Sequence, residues 1–224
     1  MAKSNRQILL ARRPVGEPAP ADFELTRTPV PQPGSGEFLG RAIYLSLDPY
    51  MRGRMRDAKS YAPPVPLDEV MVGGVVGEVT ASRHPDYAVG DIVEGRTGWQ
   101  EYGLSDGAGM RKVDPSLAPV STALGILGMP GLTAYFGLRD IGRVAAGDTV
   151  LVTAASGAVG AVVGQIAKIM GCYVVGVAGG PQKTAYILDE LGFDAAIDYK
   201  SGADLSTAGA TACPKGVDVD YDNV

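Results

Sequence analysis

Three glycines in the run Val-Leu-Val-Thr-Ala-Ala-Ser-Gly-Ala-Val-Gly-Ala-Val-Val-Gly, residues 150–164, are spaced to hold a phosphate. Gly157 permits a tight turn and close approach of a pyrophosphate, while Gly160 and Gly164 let a helix lie against the preceding strand. A helix starting there offers free N–H groups and its positive dipole end to an anion. The chemistry implied is dinucleotide binding, and through it redox chemistry. Taken alone, the pattern also fits simple close packing, because Ala155 stands where the usual G-x-G-x-x-G has its first glycine. The flanks favour the nucleotide. Residues 149–154 are β-branched and apolar, as a strand buried on both faces should be. Residues 158–170 show helical spacing that closes on Lys168 and Gly171.

A phosphate-holding turn needs a parallel sheet behind it, and the second part of the chain supplies the pattern. From about residue 121, helical stretches alternate with apolar strands expected at 150–153, 173–178, 195–198 and 217–221. Helices fit between them at 158–170, 181–191 and 203–213. This is a βαβαβ order with right-handed crossovers. The first part reads differently, with short strands expected at 7–12, 23–28, 38–47, 70–79 and 91–95, separated by Pro/Gly turns. Such a pattern suits a barrel or sandwich. The expected domains are therefore 1–120 and 121–224. Four parallel strands make about two thirds of a doubly wound sheet. The chain is accordingly expected to be C-terminally truncated.

Composition limits the alternatives. The 224 residues are 46% hydrophobic with a net charge of −5, enough for a real core and unfavourable for nucleic acid or anionic membrane as partners. The one basic cluster, Arg52, Arg54 and Arg56, reads as a solvated loop. Two cysteines, Cys172 and Cys213, argue for reduced thiols in a cytoplasmic protein rather than a disulfide framework, with Cys172 in the core. No secretory signal pattern opens the chain, and two long uncharged runs are broken by Gly or Pro and read as buried segments. Trp99 is expected in the core, and His84, before Pro85, in an exposed loop. One histidine and two distant cysteines cannot supply a zinc alcohol dehydrogenase's ligands, so no metal is expected.

Four segments carry a family resemblance: Leu-Ser-Leu-Asp-Pro-Tyr-Met-Arg at 45–52, Gly-Met-Pro-Gly-Leu-Thr-Ala-Tyr-Phe-Gly-Leu at 128–138, Ala-Ala-Ser-Gly-Ala-Val-Gly at 154–160, and Tyr-Asp-Asn-Val at 221–224. Together they resemble the medium-chain dehydrogenase/reductase superfamily. Within it the chain is similar to the zinc-free NADPH-dependent alkenal/one double-bond reductases, the branch of the prostaglandin and curcumin reductases. The resemblance implies an α/β fold: a GroES-like β-barrel domain followed by a partial doubly wound Rossmann parallel sheet, with the active site in the cleft between the two.

The resemblance also implies roles for particular residues. Gly157, Ala158, Val159 and Gly160 would hold the pyrophosphate, and Met129 and Thr133 would line the nicotinamide side. Lys183 would meet the adenosine 2′-phosphate, Tyr199 would flank the adenosine end, and Asn223 would touch the cofactor from the fourth strand tip. Tyr50 would be the catalytic tyrosine. Plainer alternatives stand beside these: helix-start residues for Met129 and Thr133, a surface lysine, packing tyrosines and a turn asparagine. The sequence supports NADPH over NADH, since no acid follows the second strand at 177–181 to bind a ribose 2′-OH.

The expected reaction is reduction of the C=C bond of an α,β-unsaturated ketone or aldehyde, a small-molecule enone or enal. The alternatives are a quinone reductase of the same superfamily and a non-catalytic dinucleotide-binding protein. A homo-oligomer, a dimer, is expected.

Overall fold

The structure is a computed structural model that describes residues 4–223. The chain divides into two compact units, Met1–Leu124 and Gly125–Val224.

In the first unit, β1 (Ser4–Leu10) and β2 (Phe23–Pro29) form an antiparallel pair. Then come β3 (Phe38–Leu45), the short helix α1 (Tyr50–Arg54), β4 (Val75–Ser82), β5 (Ile92–Gly95), β6 (Tyr102–Ser105) and β7 (Arg111–Lys112). These five strands make an antiparallel sheet in the order β6-β3-β4-β5-β7. The free edge of β1 bridges to it: Ile8 N–H donates to the Trp99 carbonyl and Glu101 N–H to the Arg6 carbonyl. That link continues the sheet around a core of Leu10, Met51, Met55, Val65 and Met71. A second cluster, Phe38, Val79 and Val93, fills the sheet's other part.

Several expectations shift here. The strand expected at 70–79 begins at Val75, because Leu10 N–H and Met71 N–H pair residues 69–71 with β1 instead. Of the arginine cluster, Arg56 is exposed as expected, but Arg52 and Arg54 are half-buried. Arg52 donates to the carbonyls of Pro14 and Gly16, and Arg54 to that of Pro63 at 2.5 Å. They clip neighbouring loops to α1. His84 is half-buried rather than exposed: its Nδ1 accepts the Asp86 N–H at 3.0 Å while Nε2 lies 3.1 Å from the Asp106 carbonyl. Trp99 is only partly buried, stacked on Phe23 with ring centroids 5.5 Å apart.

The second unit opens with α2 (Met129–Phe136), which runs on into a π-helical turn, Gly137–Gly142. There follow β8 (Thr149–Val152), α3 (Gly160–Ile169), β9 (Tyr173–Ala178), α4 (Pro181–Ala185), a second π-helical turn (Tyr186–Glu190), β10 (Ala195–Asp198), α5 (Leu205–Ala212) and β11 (Val219–Tyr221). The four strands are parallel in the order β10-β9-β8-β11. Chain order thus runs outward from β8 to β10, then switches to the other side of β8 with β11, as in a Rossmann half-sheet.

The parallel strands are apolar on both faces because helices cover them. Val150, Val152, Val163, Val174 and Ile187 are fully buried in one cluster with Phe193 and Cys172. Each such side chain stabilises the fold by about 1.5–3 kcal/mol. Gly164 faces the Phe193 ring so closely that a Cβ there would collide with it. Cys213 is buried on the opposite side with Val175 and Ile197.

Candidate functional site

The loops following β8, β9, β10 and β11 all emerge at the carboxyl edge of the parallel sheet. That edge, at a point where strand order reverses, is where open α/β sheets bind ligands. Here the reversal lies between β8 and β11.

The glycine turn leaves β8 at Thr153. Ala154 adopts a left-handed φ of +44°, which costs a residue with a Cβ about 1–2 kcal/mol. This reversal aims the Ala154 carbonyl back into the turn, where it accepts the Gly157 N–H at 2.8 Å. A Cβ at Gly160 would stand 2.5 Å from that same carbonyl and 2.9 Å from the Ala155 Cα, so only glycine lets α3 begin there. Ala155, in place of the first motif glycine, is fully buried and donates its N–H to the Val177 carbonyl. Among the described residues, the N–H groups of Ala158, Val159 and Gly160 find no acceptor. They are the open donors of a helix N-terminus, which suits an anion.

Around this turn the structure gathers most of the candidate residues. Asn223 follows β11 and is tied to the end of β8: its amide donates to the Thr153 carbonyl at 2.5 Å, and its backbone N–H to the Thr153 hydroxyl at 3.0 Å. Thr153 donates in turn to Asp222 at 2.6 Å. Met129 is the first residue of α2, with its side chain exposed. Thr133 donates its hydroxyl to the Met129 carbonyl at 2.7 Å. Its own carbonyl accepts from Tyr221 Oη at 2.8 Å, which joins α2 to β11. Tyr221 is partly buried, and burial pushes its phenol upward.

The adenosine-side candidates sit at the ends of β9 and β10. Lys183 is exposed and makes no ion pair among the described residues. Tyr199 is half-exposed, with its ring against Gly179: a Cβ on that glycine would be 2.7 Å from the phenol oxygen. The Lys200 ammonium lies 5.8 Å from the Tyr199 ring centre. Asp198, not singled out from the sequence, accepts the N–H groups of Gly180 at 2.8 Å and Lys200 at 2.9 Å. These bonds hold its carboxyl below the usual range. The only sequence signal for it was an acid closing a strand just before Tyr199.

Tyr50 belongs to the first unit, in the first turn of α1. It packs on the Leu10–Met71 cluster, and burial, with Asp48 nearby, pushes its phenol up. A hollow of about 720 Å³ in the same unit is lined by Glu37, Glu94, Arg96, Asp106 and Met110, and by none of the candidate residues.

Known proteins bear on this arrangement. A family of N-terminal oxidoreductase domains matches residues 6–113, and one described as zinc-binding dehydrogenase matches residues 158–224. An NADPH-dependent curcumin reductase of Escherichia coli is 52% identical over 98% of this chain and 64% of its own length. Prostaglandin reductase 1 of Rattus norvegicus is 47% identical over 93% of this chain and 62% of its own. The crystal structure of CurA from Vibrio vulnificus in complex with NADPH superposes with a TM-score of 0.92, at 53% identity over 98% of this chain and 65% of that one. The chain thus spans just under two thirds of the length of these relatives. Zinc does not fit the donors here. The two cysteines are buried in different clusters, Cys172 with its thiol toward the Ala145 carbonyl, and no three His, Cys, Asp or Glu group together among the described residues.

Proposed function

Because the chain belongs to the medium-chain dehydrogenase/reductase superfamily, with a GroES-like domain followed by part of a Rossmann sheet, we propose that it is an NADPH-dependent reductase of activated C=C bonds. Its substrates are α,β-unsaturated ketones and aldehydes, whose carbonyl it leaves intact.

The observation that carries this reading is the pairing, on one sheet edge, of an open-donor glycine turn with a loop after β9 that carries Lys183 and no acid of its own. The turn suits a pyrophosphate. The end of β9 offers a cation where an NAD site presents a carboxylate. The NADPH complex of the similar CurA and the NADPH-dependent curcumin reductase support the cofactor. Gly157, Ala158, Val159 and Gly160 bind the pyrophosphate. Lys183 and Tyr199 bind the 2′-phosphate and adenosine end. Met129 and Thr133 border the nicotinamide side, and Asn223 touches the cofactor from the tip of β11.

When bound, NADPH supplies the hydride that the β-carbon accepts. Charge then develops on the carbonyl oxygen, and a donor aimed at it lowers the barrier. Tyr50 is the donor we assign. A phenol is neutral at physiological pH and burial makes this one hold its proton more tightly still, so it gives a hydrogen bond and does not act as a base. The α-carbon takes its proton from tyrosine or water. We place the protein in the cytoplasm, where its two free, buried thiols stay reduced, and assign it a homodimeric state.

The test follows NADPH oxidation with an enone and identifies the product. A saturated ketone supports the reading. An allylic alcohol overturns the reaction, a preference for quinones selects a quinone reductase, and nucleotide binding without turnover selects a non-catalytic binder.

A further inference from the structure

Two loops at the carboxyl edge carry every cation and ring assigned to the 2′-phosphate end. The loop after β9 carries Gly179, Gly180 and Lys183; the loop after β10 carries Tyr199 and Lys200. β9 and β10 end level with one another, Asp198 opposite Ala178. Beyond that register the strands no longer hold the loops together. One backbone bond, from Tyr199 N–H to the Ala178 carbonyl, is long at 3.3 Å.

Asp198 spans the gap. Its Oδ1 accepts the Gly180 N–H at 2.8 Å from one loop and the Lys200 N–H at 2.9 Å from the other. Gly180 stands at φ +92°, a conformation that glycine adopts without a Cβ penalty. Beside that bond, the Tyr199 ring lies against Gly179 and Lys200 lies over the Tyr199 ring. An acid so close to a phosphate-binding edge would repel the phosphate if its charge were free. Here two N–H groups face that charge, and they hold the carboxyl ionised.

We propose that Asp198 is the positioning residue of the 2′-phosphate subsite, and that its accepting Oδ1 sets NADPH selectivity by clamping the Lys183 loop to the Tyr199–Lys200 loop. The proposal rests on the NADPH reading above. Asp198 touches no ligand itself. It fixes where the lysines and the tyrosine stand, and charge-assisted hydrogen bonds to a phosphate depend on that placement.

The experiment measures binding of adenosine 2′,5′-bisphosphate and of 5′-AMP to the 224-residue chain by calorimetry. The proteins are the unaltered chain and the variants Asp198→Asn, Asp198→Ala and Asp198→Glu, with folding checked by circular dichroism. Asn keeps the accepting oxygen without the charge. Glu keeps the charge but sets its oxygens one methylene too far. Asn is expected to stay within about twofold of the unaltered chain, whereas Ala and Glu lose on the order of tenfold for the bisphosphate and little for 5′-AMP. Equal losses for both nucleotides, an unaffected Ala variant, or a Glu variant that behaves like the unaltered chain overturns the clamp. An unaltered chain with no preference for the bisphosphate overturns the cofactor reading on its own.

Discussion

The side-chain amide of Asn223 donates to the Thr153 carbonyl at 2.5 Å, and thereby closes the point where the strand order of the parallel sheet reverses. β11 pairs with β8 over three residues only, Val219 to Tyr221. The asparagine extends that short ladder by a side-chain rung at the mouth of the candidate nucleotide site. Asn223→Ala should therefore lower the urea midpoint by an amount worth about 1 kcal/mol, since one hydrogen bond to a partly buried carbonyl is lost. A variant with an unchanged midpoint would show that the rung contributes nothing to the sheet.

Lys183 makes no ion pair among the described residues, so its charge is available to a ligand. Lys183→Glu should weaken NADPH by roughly ten- to a hundredfold, the worth of one charge-assisted contact of about 1–3 kcal/mol. NADH, which lacks the 2′-phosphate, should bind almost as before. Fluorescence titration with both cofactors reads the difference, and parallel losses would remove Lys183 from the subsite.

The glycines of the turn should separate stability from binding. A methyl at Gly160 meets backbone at 2.5 and 2.9 Å, whereas one at Gly157 meets only the Ala154 carbonyl at 3.1 Å. Gly160→Ala should cost about 1–3 kcal/mol of stability through overpacking against groups that cannot move aside. Gly157→Ala should leave the thermal midpoint nearly unchanged and still weaken the dinucleotide. If Gly157→Ala binds NADPH normally, the pyrophosphate does not approach the chain at that residue.

Tyr50→Phe removes a hydroxyl but keeps the ring that packs on Leu10, Met51 and Met71. Stability should hold, and NADPH affinity should stay within about twofold. Turnover of an enone should fall on the order of ten- to a hundredfold if the phenol donates in the transition state. Unchanged turnover would leave Tyr50 as a packing residue.

Asp22, one of three buried polar residues among those described, accepts the Ala19 N–H at 2.8 Å and pairs with Arg12 at 2.6 Å. The Ala19 hydrogen bond, followed by Arg12, lowers its affinity for a proton in the folded state. The unfolded chain therefore takes up that proton first. The contribution of Asp22 is complete above about pH 4 and is lost as the pH falls through its depressed folded value. Asp22→Asn should be less stable than the unaltered protein at pH 7 and should lose less on acidification. Parallel urea midpoints from pH 7 to pH 3 would exclude this linkage.

The parallel sheet was readable because its signals are local. Residues 173–178 and 195–198 are strands as the apolar runs indicate, and the helix expected at 158–170 forms at Gly160–Ile169. The start of that helix moves because the turn's geometry is set by Ala154, whose left-handed φ no propensity signals. In the first unit, β6 and β7 were not legible. They are four and two residues long, and only pairing with β3 and β5 makes them strands. The arginines beside Tyr50 misled because charge suggests solvent, while their partners, carbonyls of residues 14, 16 and 63, are distant in sequence. Asp198 escaped notice for the same reason: its partner on β9's loop is 18 residues away.

The left-handed Ala154 has a further consequence for anyone who would improve this protein. A glycine there would relieve the backbone and, by the same token, loosen the turn that holds open three unpaired N–H groups. Selection for thermal tolerance alone would favour that substitution or others like it. It would drift toward chains that survive heat and bind nucleotide poorly. A screen that raises temperature while demanding cofactor retention should keep Ala154, and the divergence of the two selected pools would measure how much of the fold's stability is forgone to keep the turn in shape.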